Sequence, residues 1–339
     1  MGGGIISSNF NHDLFEKIIS LENLFFAWSE FKLGKKSKPD VQTFEFNLED
    51  NLFKLHQELK NKSFQHSKYT PFYITDPKLR HIHKATVRDR VLHHALFRIL
   101  YPIFDKTLIY DSYSCRNKKG THRAVYKLQS FCIESSSYYN HNIYALKCDI
   151  SKYFDSIDHS ILLKFIKKEV EDENTLWLIK NILDSFQKAV GKGVPLGNVT
   201  SQLFANIYLN ELDSFVKNRL EIKHYIRYCD YFVFLSRSKE ELERLVLIIR
   251  KFLISELKLQ LHPKKIIFAK LTQGIDFLGY VILPNYIVLR TRTKKRMFKR
   301  MRDSSNHQAL QSYLGMLSHG NNLKLKKELF EIYNFHQSF

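Results

Sequence analysis

One short stretch constrains the fold of this chain more than any other: residues 224–235 read HYIRYCDYFVFL. Aromatic and apolar residues stand on both sides of the pair Cys229-Asp230, which is the pattern of a tight β-hairpin. A carboxylate at such a tip contributes little to packing, because burying an unpaired charge costs several kcal/mol. Asp230 is therefore either a turn aspartate held by backbone N–H groups, or a metal ligand that needs a second acid elsewhere in the chain.

A second acid stands at the end of another predicted strand. Residues 143–149 read IYALKCD, an apolar strand that ends on Asp149. Residues 191–197, GKGVPLG, form a turn-rich loop, and residues 198–216 have the pattern of an amphipathic helix. Asp149 thus supplies the acid that the metal-ligand interpretation of Asp230 requires.

The remaining pattern predicts an α+β chain. Its predicted helices cover 11–70, a segment from about 89, a segment near 160–170, 174–190, 239–257 and a tail from about 290, and its short strands cover 70–78, 260–268 and 277–289. No glycine-rich nucleotide fingerprint follows the first strand, which argues against a Rossmann domain.

A strong positive charge indicates a polyanionic partner. The formal net charge is +19, and 8 of the 13 residues from Arg290 to Arg302 are Lys or Arg. Nucleic acid is the usual partner of such a chain, and no apolar segment of 18 residues suggests a membrane instead. The four cysteines show no CxxC spacing, so reduced thiols in a cytoplasmic protein are the simplest expectation.

A series of segments between about residues 45 and 300 resembles the motifs of a reverse transcriptase, in the order of that family. The fingers motifs are matched by KLRHIHKATVRDRVLHHAL and YDSYSCRNKKGTHRAV. The first and second palm motifs are matched by CDISKYFDSIDH and GVPLGNVTSQLFANIYLNELD. The YxDD box is matched by YCDYFVF, the lysine-bearing motif by LKLQLHPKK, and the primer grip by GIDFLGYVI. The resemblance implies an α+β right-hand polymerase with an N-terminal helical region and fingers over 1–135, a palm with an antiparallel sheet over 136–285, and a short helical thumb over 286–339.

Within that family the second palm motif is the most informative. Most reverse transcriptases have QGxxxSP there, whereas this chain has Leu196-Gly197, then three residues, then Ser201-Gln202. The pattern LGxxxSQ resembles bacterial retroelement enzymes of the diversity-generating type. Chromosomal reverse transcriptases of anti-phage defence share much of the same framework and remain the alternative.

The resemblance implies RNA-templated DNA synthesis by two-metal nucleotidyl transfer. Carboxylate oxygens suit Mg²⁺, with Mn²⁺ as the alternative ion. Asp149 and Asp230, on adjacent central strands, are the expected metal ligands, and the backbone carbonyl of Ile150 is a further one. The expected partners are a dedicated noncoding RNA template, a DNA or RNA primer, deoxynucleoside triphosphates, and an accessory protein or a second polymerase subunit.

Other positions of the resemblance concern the nucleotide. Phe154, five residues after Asp149, matches the position that abuts the sugar, where a ring leaves no space for a 2′-OH; the alternative for it is core packing. Leu196 replaces a glutamine that contacts the nucleotide in relatives. The enzyme should therefore discriminate less strictly against incorrect base-pair geometry. Lys265 matches the lysine proposed to protonate pyrophosphate, with Lys264 as the alternative. The remaining assignments are Arg116, Arg80 and Lys84 at the triphosphate, Gly197 and Gln202 at the nucleotide, and Tyr228, Arg292, Lys295, Arg296 and Lys299 on nucleic acid.

One position departs from the family. The YxDD box ends in two acids, but this chain has Asp230 followed by Tyr231. A tyrosine that is neutral at pH 7 is a poor Mg²⁺ ligand. The substitution predicts either a polymerase that holds one metal loosely, with more activity in Mn²⁺ than in Mg²⁺ and a gain on Tyr231→Asp, or an RNA-binding subunit that has lost the chemistry.

Overall fold

The computed structural model describes residues 13–75, 78–303 and 306–337. The helices in these ranges are α1 Leu14–Ile19, α2 Leu21–Phe31, α3 Pro39–Phe46, α4 Leu48–Lys60, α5 Val87–Asp105, α6 Thr121–Ser135, α7 Tyr153–Ser156, α8 His159–Ile166, α9 Glu173–Asp184, α10 Val199–Ser214, α11 Lys239–Leu257, α12 Thr291–Asp303, α13 His307–Leu317 and α14 Leu323–Gln337. The strands are β1 Thr70–Ile74, β2 Arg80–Lys84, β3 Tyr144–Asp149, β4 Tyr225–Tyr228, β5 Tyr231–Ser236, β6 Ile267–Lys270, β7 Ile275–Phe277, β8 Tyr280–Ile282 and β9 Ile287–Leu289.

The described residues fall into two compact units, and the first is mainly helical. It contains the described parts of residues 1–109, 150–219 and 252–260. In it α5 packs against α2 and α10, and the apolar side of α5 is buried. Thr86 caps α5 by accepting a hydrogen bond from the backbone N–H of Asp89. The antiparallel pair β1–β2 also belongs to this unit, and all five residues of β1 are exposed.

The second unit carries two antiparallel sheets. It contains the described parts of residues 110–149, 220–251 and 261–339. One sheet has the order β4-β5-β3-β6, and the other has the order β7-β8-β9. Helix α6 lies on both sheets, and α12, α13 and α14 pack on one another. One apolar core joins these elements, with Leu128, Ile226, Phe277 and Met297 among its buried members.

The predicted hairpin is confirmed, since β4 and β5 flank Cys229-Asp230, and α11 covers 239–257 as predicted. Several expectations were wrong in extent. Residues 61–69 are not helical, the helix expected over 174–190 ends at Asp184, and the strand expected over 260–268 begins only at Ile267. A short 3-10 turn over Pro263–Lys265 precedes that strand, because Pro263 lacks the N–H that a ladder needs. Strand β2 had no clear signal, because its residues are exposed or half-buried and do not alternate in polarity.

None of the helices in the described ranges is long and apolar enough to cross a membrane.

Candidate active site

The acid that ends β3 lies beside the tip of the hairpin. Strands β3 and β5 pair antiparallel so that Asp149 is opposite Tyr231, and Asp230 directly precedes Tyr231 in the turn. These strands are the two inner strands of their sheet. The two acids that the sequence singled out therefore meet at one end of the four-stranded sheet.

The hairpin tip is held in a strained conformation by an arginine beneath it. Cys229 has a φ of 57°, in the left-handed region that costs a non-glycine residue free energy. Arg227 is fully buried and its Nη1 donates to the carbonyl oxygen of Cys229 at 3.0 Å. Its backbone joins the segment that leads into α6, since the N–H of Tyr113 donates to its carbonyl at 3.0 Å. Sequence reasoning missed Arg227, although a cation inside an apolar strand is an available signal.

A lysine completes the group of charges. The N–H of His262 donates to the carbonyl of Asp149 at 2.8 Å, and the 3-10 turn that follows points one of its two lysines at the acid. Lys265 Nζ lies 2.7 Å from Asp149 Oδ1, whereas Lys264 is exposed. Of the two candidate lysines, Lys265 is therefore the one in contact. Asp149, Asp230 and Lys265 are called the acid site below.

The electrostatics of the acid site favour a bound cation. Burial, and then the negative charge of Asp149, raise the pKa of Asp230, while Lys265 acts in the opposite direction. Two carboxylates in close proximity with one ammonium leave a negative charge that a divalent cation would neutralise. The described residues contain no group of three or more His, Cys, Asp or Glu side chains placed to hold a metal. Mg²⁺ commonly takes only one or two carboxylates plus water and substrate phosphates, so the pair fits that ion.

In the first unit, Phe154 follows a tight turn at the start of α7. The ring is half-buried and meets Tyr153 edge-on, with the ring centroids 5.5 Å apart. Its carbonyl accepts from the N–H of Val194 at 2.8 Å, which ties it to the loop over 191–197. The hydroxyl of Tyr153 donates to the carbonyl of Ala205, which joins α7 to α10. The segment is thus held by the Phe154 carbonyl and the Tyr153 hydroxyl, and the Phe154 side chain is not part of the buried core.

The loop that carries Leu196 is held against the β1–β2 pair of the same unit. The carbonyl of Leu196 accepts from the N–H of His83 at 3.2 Å. Gly197 has a φ of 118°, and a Cβ on it would lie 3.1 Å from the side chain of Ile82, so this position needs glycine. Leu196 is half-buried, and Gln202 is exposed one turn into α10.

The three basic residues predicted to bind the triphosphate have different surroundings. Arg80 is exposed on β2. Lys84 forms an ion pair with Asp40 at 2.7 Å, which competes with a role at a phosphate. Arg116, in the second unit, donates to the carbonyl of Ser112 at 3.1 Å, so the basic loop folds onto itself.

The predicted nucleic-acid residues all lie in the second unit. Arg292, Lys295, Arg296 and Lys299 are all exposed on α12, whose opposite side buries Met297, Phe298 and Met301. The spacing of three and four residues places the four cations on one face. A cavity of about 480 Å³ beside α12 is lined by Arg296, His122, His319 and Gly279, among others. Tyr228, half-buried, shares a hydrogen bond of 3.1 Å with Thr121, which lines the same cavity.

Comparisons with known proteins identify the family of this chain. Residues 68–282 match the family described as reverse transcriptase (RNA-dependent DNA polymerase). Protein YkfC of Escherichia coli (strain K12) is 26% identical over 272 residues, which cover 68% of this chain and 70% of YkfC. The group II intron-encoded protein LtrA of Lactococcus lactis subsp. cremoris is 23% identical over 323 residues, which cover 74% of this chain and 52% of LtrA. This chain thus spans about half the length of LtrA.

A solved structure shares the fold at low identity. A telomerase from Candida albicans, determined with a fragment of telomeric RNA, superposes with a TM-score of 0.53 and 12% identity, covering 72% of this chain and 51% of the telomerase. Together with the family match, this likeness confirms the α+β right-hand polymerase fold.

Proposed function

Because this chain belongs to the reverse transcriptase (RNA-dependent DNA polymerase) family, we propose that it copies an RNA template into DNA from deoxynucleoside triphosphates. One observation carries the proposal: Asp149 and Asp230 stand at the same end of neighbouring strands, with Lys265 in contact with Asp149 at 2.7 Å. Two acids that can hold divalent cations, with a lysine beside them, suit two-metal nucleotidyl transfer.

The residues of the acid site have separate tasks in this reaction. Asp149 and Asp230 would hold two divalent cations, with the carbonyl of Ile150 as a further ligand, and such ions stabilise the attacking and leaving oxygens. Lys265 would donate the proton that the leaving pyrophosphate takes up. Its ammonium is already at the acid site, so it needs no large movement to act.

Selection of the nucleotide rests on residues of the first unit. We assign to Phe154 the exclusion of ribonucleotides, and to Leu196 a weaker check on base-pair geometry, because leucine cannot form the hydrogen bond that glutamine provides. Gly197 and Gln202 border that segment, and Arg80 and Arg116 would meet the triphosphate. Arg292, Lys295, Arg296 and Lys299 would contact the phosphates of a primer–template duplex.

The biological system in which this reverse transcriptase acts is a second, more specific proposal. The LGxxxSQ pattern from Leu196 to Gln202 favours a diversity-generating retroelement that copies a dedicated noncoding RNA, and an anti-phage defence system is the alternative. In either setting an accessory protein or a second polymerase subunit would take part. The sequenced relatives include an intron-encoded protein, so the subtype rests on this motif alone.

A second candidate function is favoured by Tyr231. Because a tyrosine stands where the family's box has its second acid, the chain could instead be an RNA-binding subunit with impaired chemistry. The basic face of α12 would serve either function, so binding of RNA alone does not separate them.

Primer extension by the purified chain separates the two functions. A labelled primer on an RNA template, supplied with deoxynucleoside triphosphates and Mg²⁺ or Mn²⁺, should be extended by the parent. Asp149→Ala and Asp230→Ala should each lose activity by about 10³-fold or more, since several kcal/mol of charge stabilisation are removed. Asp184→Ala, an exposed acid at the end of α9, is the matched control and should remain active. RNA binding without extension by the parent in either metal would favour the RNA-binding subunit.

A further inference from the structure

A polar cluster lies on the same face of the four-stranded sheet as Asp149. Lys147 stands two residues before Asp149 on β3, and Tyr231 is opposite Asp149 on β5, so the three side chains share one face. Lys147 is only 7% exposed, which is rare for a lysine. The rest of this face packs into the apolar core, so a lysine buried there needs polar partners close to the acid site.

Tyr231 and Lys147 converge on a single carbonyl of the second sheet. Lys147 Nζ donates to the carbonyl oxygen of Asp276 on β7 at 3.3 Å, and the hydroxyl of Tyr231 approaches the same oxygen in a long hydrogen bond of 3.4 Å. The Tyr231 ring also stacks on Phe277, with the centroids 5.6 Å apart and the planes 28° apart. The tyrosine therefore faces the second sheet and is half-buried against it.

The chemistry of both side chains suits these contacts. A tyrosine side chain carries an O–H donor, and a lysine ammonium carries three N–H donors and no acceptor. Both groups can therefore donate to the carbonyl oxygen of Asp276.

The same strand is linked to the turn that resembles the primer grip. Arg290 forms an ion pair with the carboxylate of Asp276, and its backbone N–H donates to the carbonyl of Gly279 at 2.9 Å. Gly279 lies in the turn between β7 and β8, beside the cavity at α12. A continuous set of contacts thus runs from Tyr231 and Lys147, through Asp276 and Arg290, to that turn.

We propose that Tyr231 is a positioning residue, which with Lys147 fixes the strand over Asp276 and Phe277 against the four-stranded sheet and so sets where the primer end lies relative to Asp149 and Asp230. This role rests on the proposed polymerase function. It gives the tyrosine a task that the second acid of the family's box could not perform, because a carboxylate has neither the ring that stacks on Phe277 nor a donor for the Asp276 carbonyl.

Steady-state primer extension by Tyr231→Phe and Tyr231→Leu tests the proposal. Tyr231→Leu removes the ring and should raise the apparent KM for primer–template about tenfold and lower kcat, with the KM for nucleotide and the Mg²⁺ dependence unchanged. Tyr231→Phe keeps the ring and should stay within about threefold of the parent. Tyr286→Leu, the same kind of change at an exposed position between β8 and β9, is the control.

Hydrogen–deuterium exchange supplies a readout that does not depend on activity. Amides of residues 275–282 should exchange faster in Tyr231→Leu than in the parent, while those of α5 should not change. Unchanged exchange and kinetics in Tyr231→Leu, or a lowered Tm with unchanged kinetics per folded molecule, would overturn the positioning role.

The competing metal account gives a different result. If the missing acid only weakens the metal site, Tyr231→Asp should be more active than the parent and should shift the Mg²⁺ dependence, and that outcome would overturn the inference. If the parent extends no primer at all, the polymerase proposal fails, and the exchange comparison alone then supports or overturns the fixed packing of β7.

Discussion

The two regions that carry the candidate residues are built on different physical principles. The acid site of the second unit is a group of charges, with an ion pair of 2.7 Å and a carboxyl whose pKa is raised by burial and by its neighbour. The candidate segment of the first unit is apolar. Phe154 and Leu196 are half-buried and are held by backbone hydrogen bonds to Val194 and His83.

This difference predicts two kinds of failure. Removing a charge from the acid site removes transition-state stabilisation, so the rate falls for every substrate. Changing the shape of an apolar contact alters the ratio of rates between substrates and spares the reaction itself. Substitutions in the two regions should therefore separate catalysis from selection.

The largest change in selectivity is expected at Phe154. Phe154→Ala opens the space that the ring would deny to a 2′-OH, so the preference for deoxynucleotides over ribonucleotides should fall about 10- to 100-fold while deoxynucleotide incorporation continues. The measurement is the ratio of kcat/KM for the two sugars on one template. Phe53→Ala, at a side chain 48% exposed on α4 of the same unit, is the control. A ratio equal to that of the parent would assign Phe154 to packing alone.

The acid site could be predicted from the sequence because its main parts are local. Apolar and aromatic runs stand on both sides of Cys229-Asp230, and β3 ends on Asp149, so the sequence pattern predicts both the strands and their ends. The sequence does not decide between Lys265 and Lys264, because the contact depends on one hydrogen bond from the N–H of His262 to the carbonyl of Asp149.

The cluster around Asp276 could not be predicted in the same way. It joins residues of β3, β5, β7 and the segment before α12 that are far apart in the chain, and their packing is a tertiary property. The one signal was a lysine inside the apolar strand YALKCD, which marks a buried charge that must find a partner. Arg227 inside YIRY is the same kind of signal for the hairpin tip.

A smaller effect is expected on the basic face of α12. Replacing Lys295 and Lys299 by glutamine removes two exposed cations, so affinity for a primer–template duplex should fall about tenfold at moderate salt. The slope of log affinity against log salt should become shallower by about 0.9 for each phosphate that is no longer neutralised. Fluorescence anisotropy over a salt series measures both.

Lys54 and Lys60 are exposed cations on α4 and provide a control with the same change of charge. If their glutamine variants flatten the slope equally, the effect belongs to net charge and not to α12. If only the α12 variants flatten the slope, the basic face of α12 binds the nucleic acid, and its role is separate from the reaction at the acid site.

The smallest effect concerns the free energy of unfolding, and it tests whether the acid site is costly to fold. Burial and the charge of Asp149 raise the pKa of Asp230 in the folded state. A carboxyl of this kind contributes stability below its unfolded pKa of about 3.9 and loses that contribution as pH rises through the folded value. Without divalent cations, Asp230→Asn should therefore raise the Tm at pH 7, by about 2–4 °C for each kcal/mol gained in the free energy of unfolding. Near pH 4 the same substitution should not raise the Tm.

Mg²⁺ should stabilise the parent but not the variant, because a ligand that binds only the folded state raises its stability. Asp184→Asn, exposed at the end of α9, should change neither Tm nor the response to Mg²⁺. A lower Tm for Asp230→Asn at pH 7 would mean that the carboxylate stabilises the hairpin tip, and would assign Asp230 the role of a turn aspartate instead of a charge held ready for a metal.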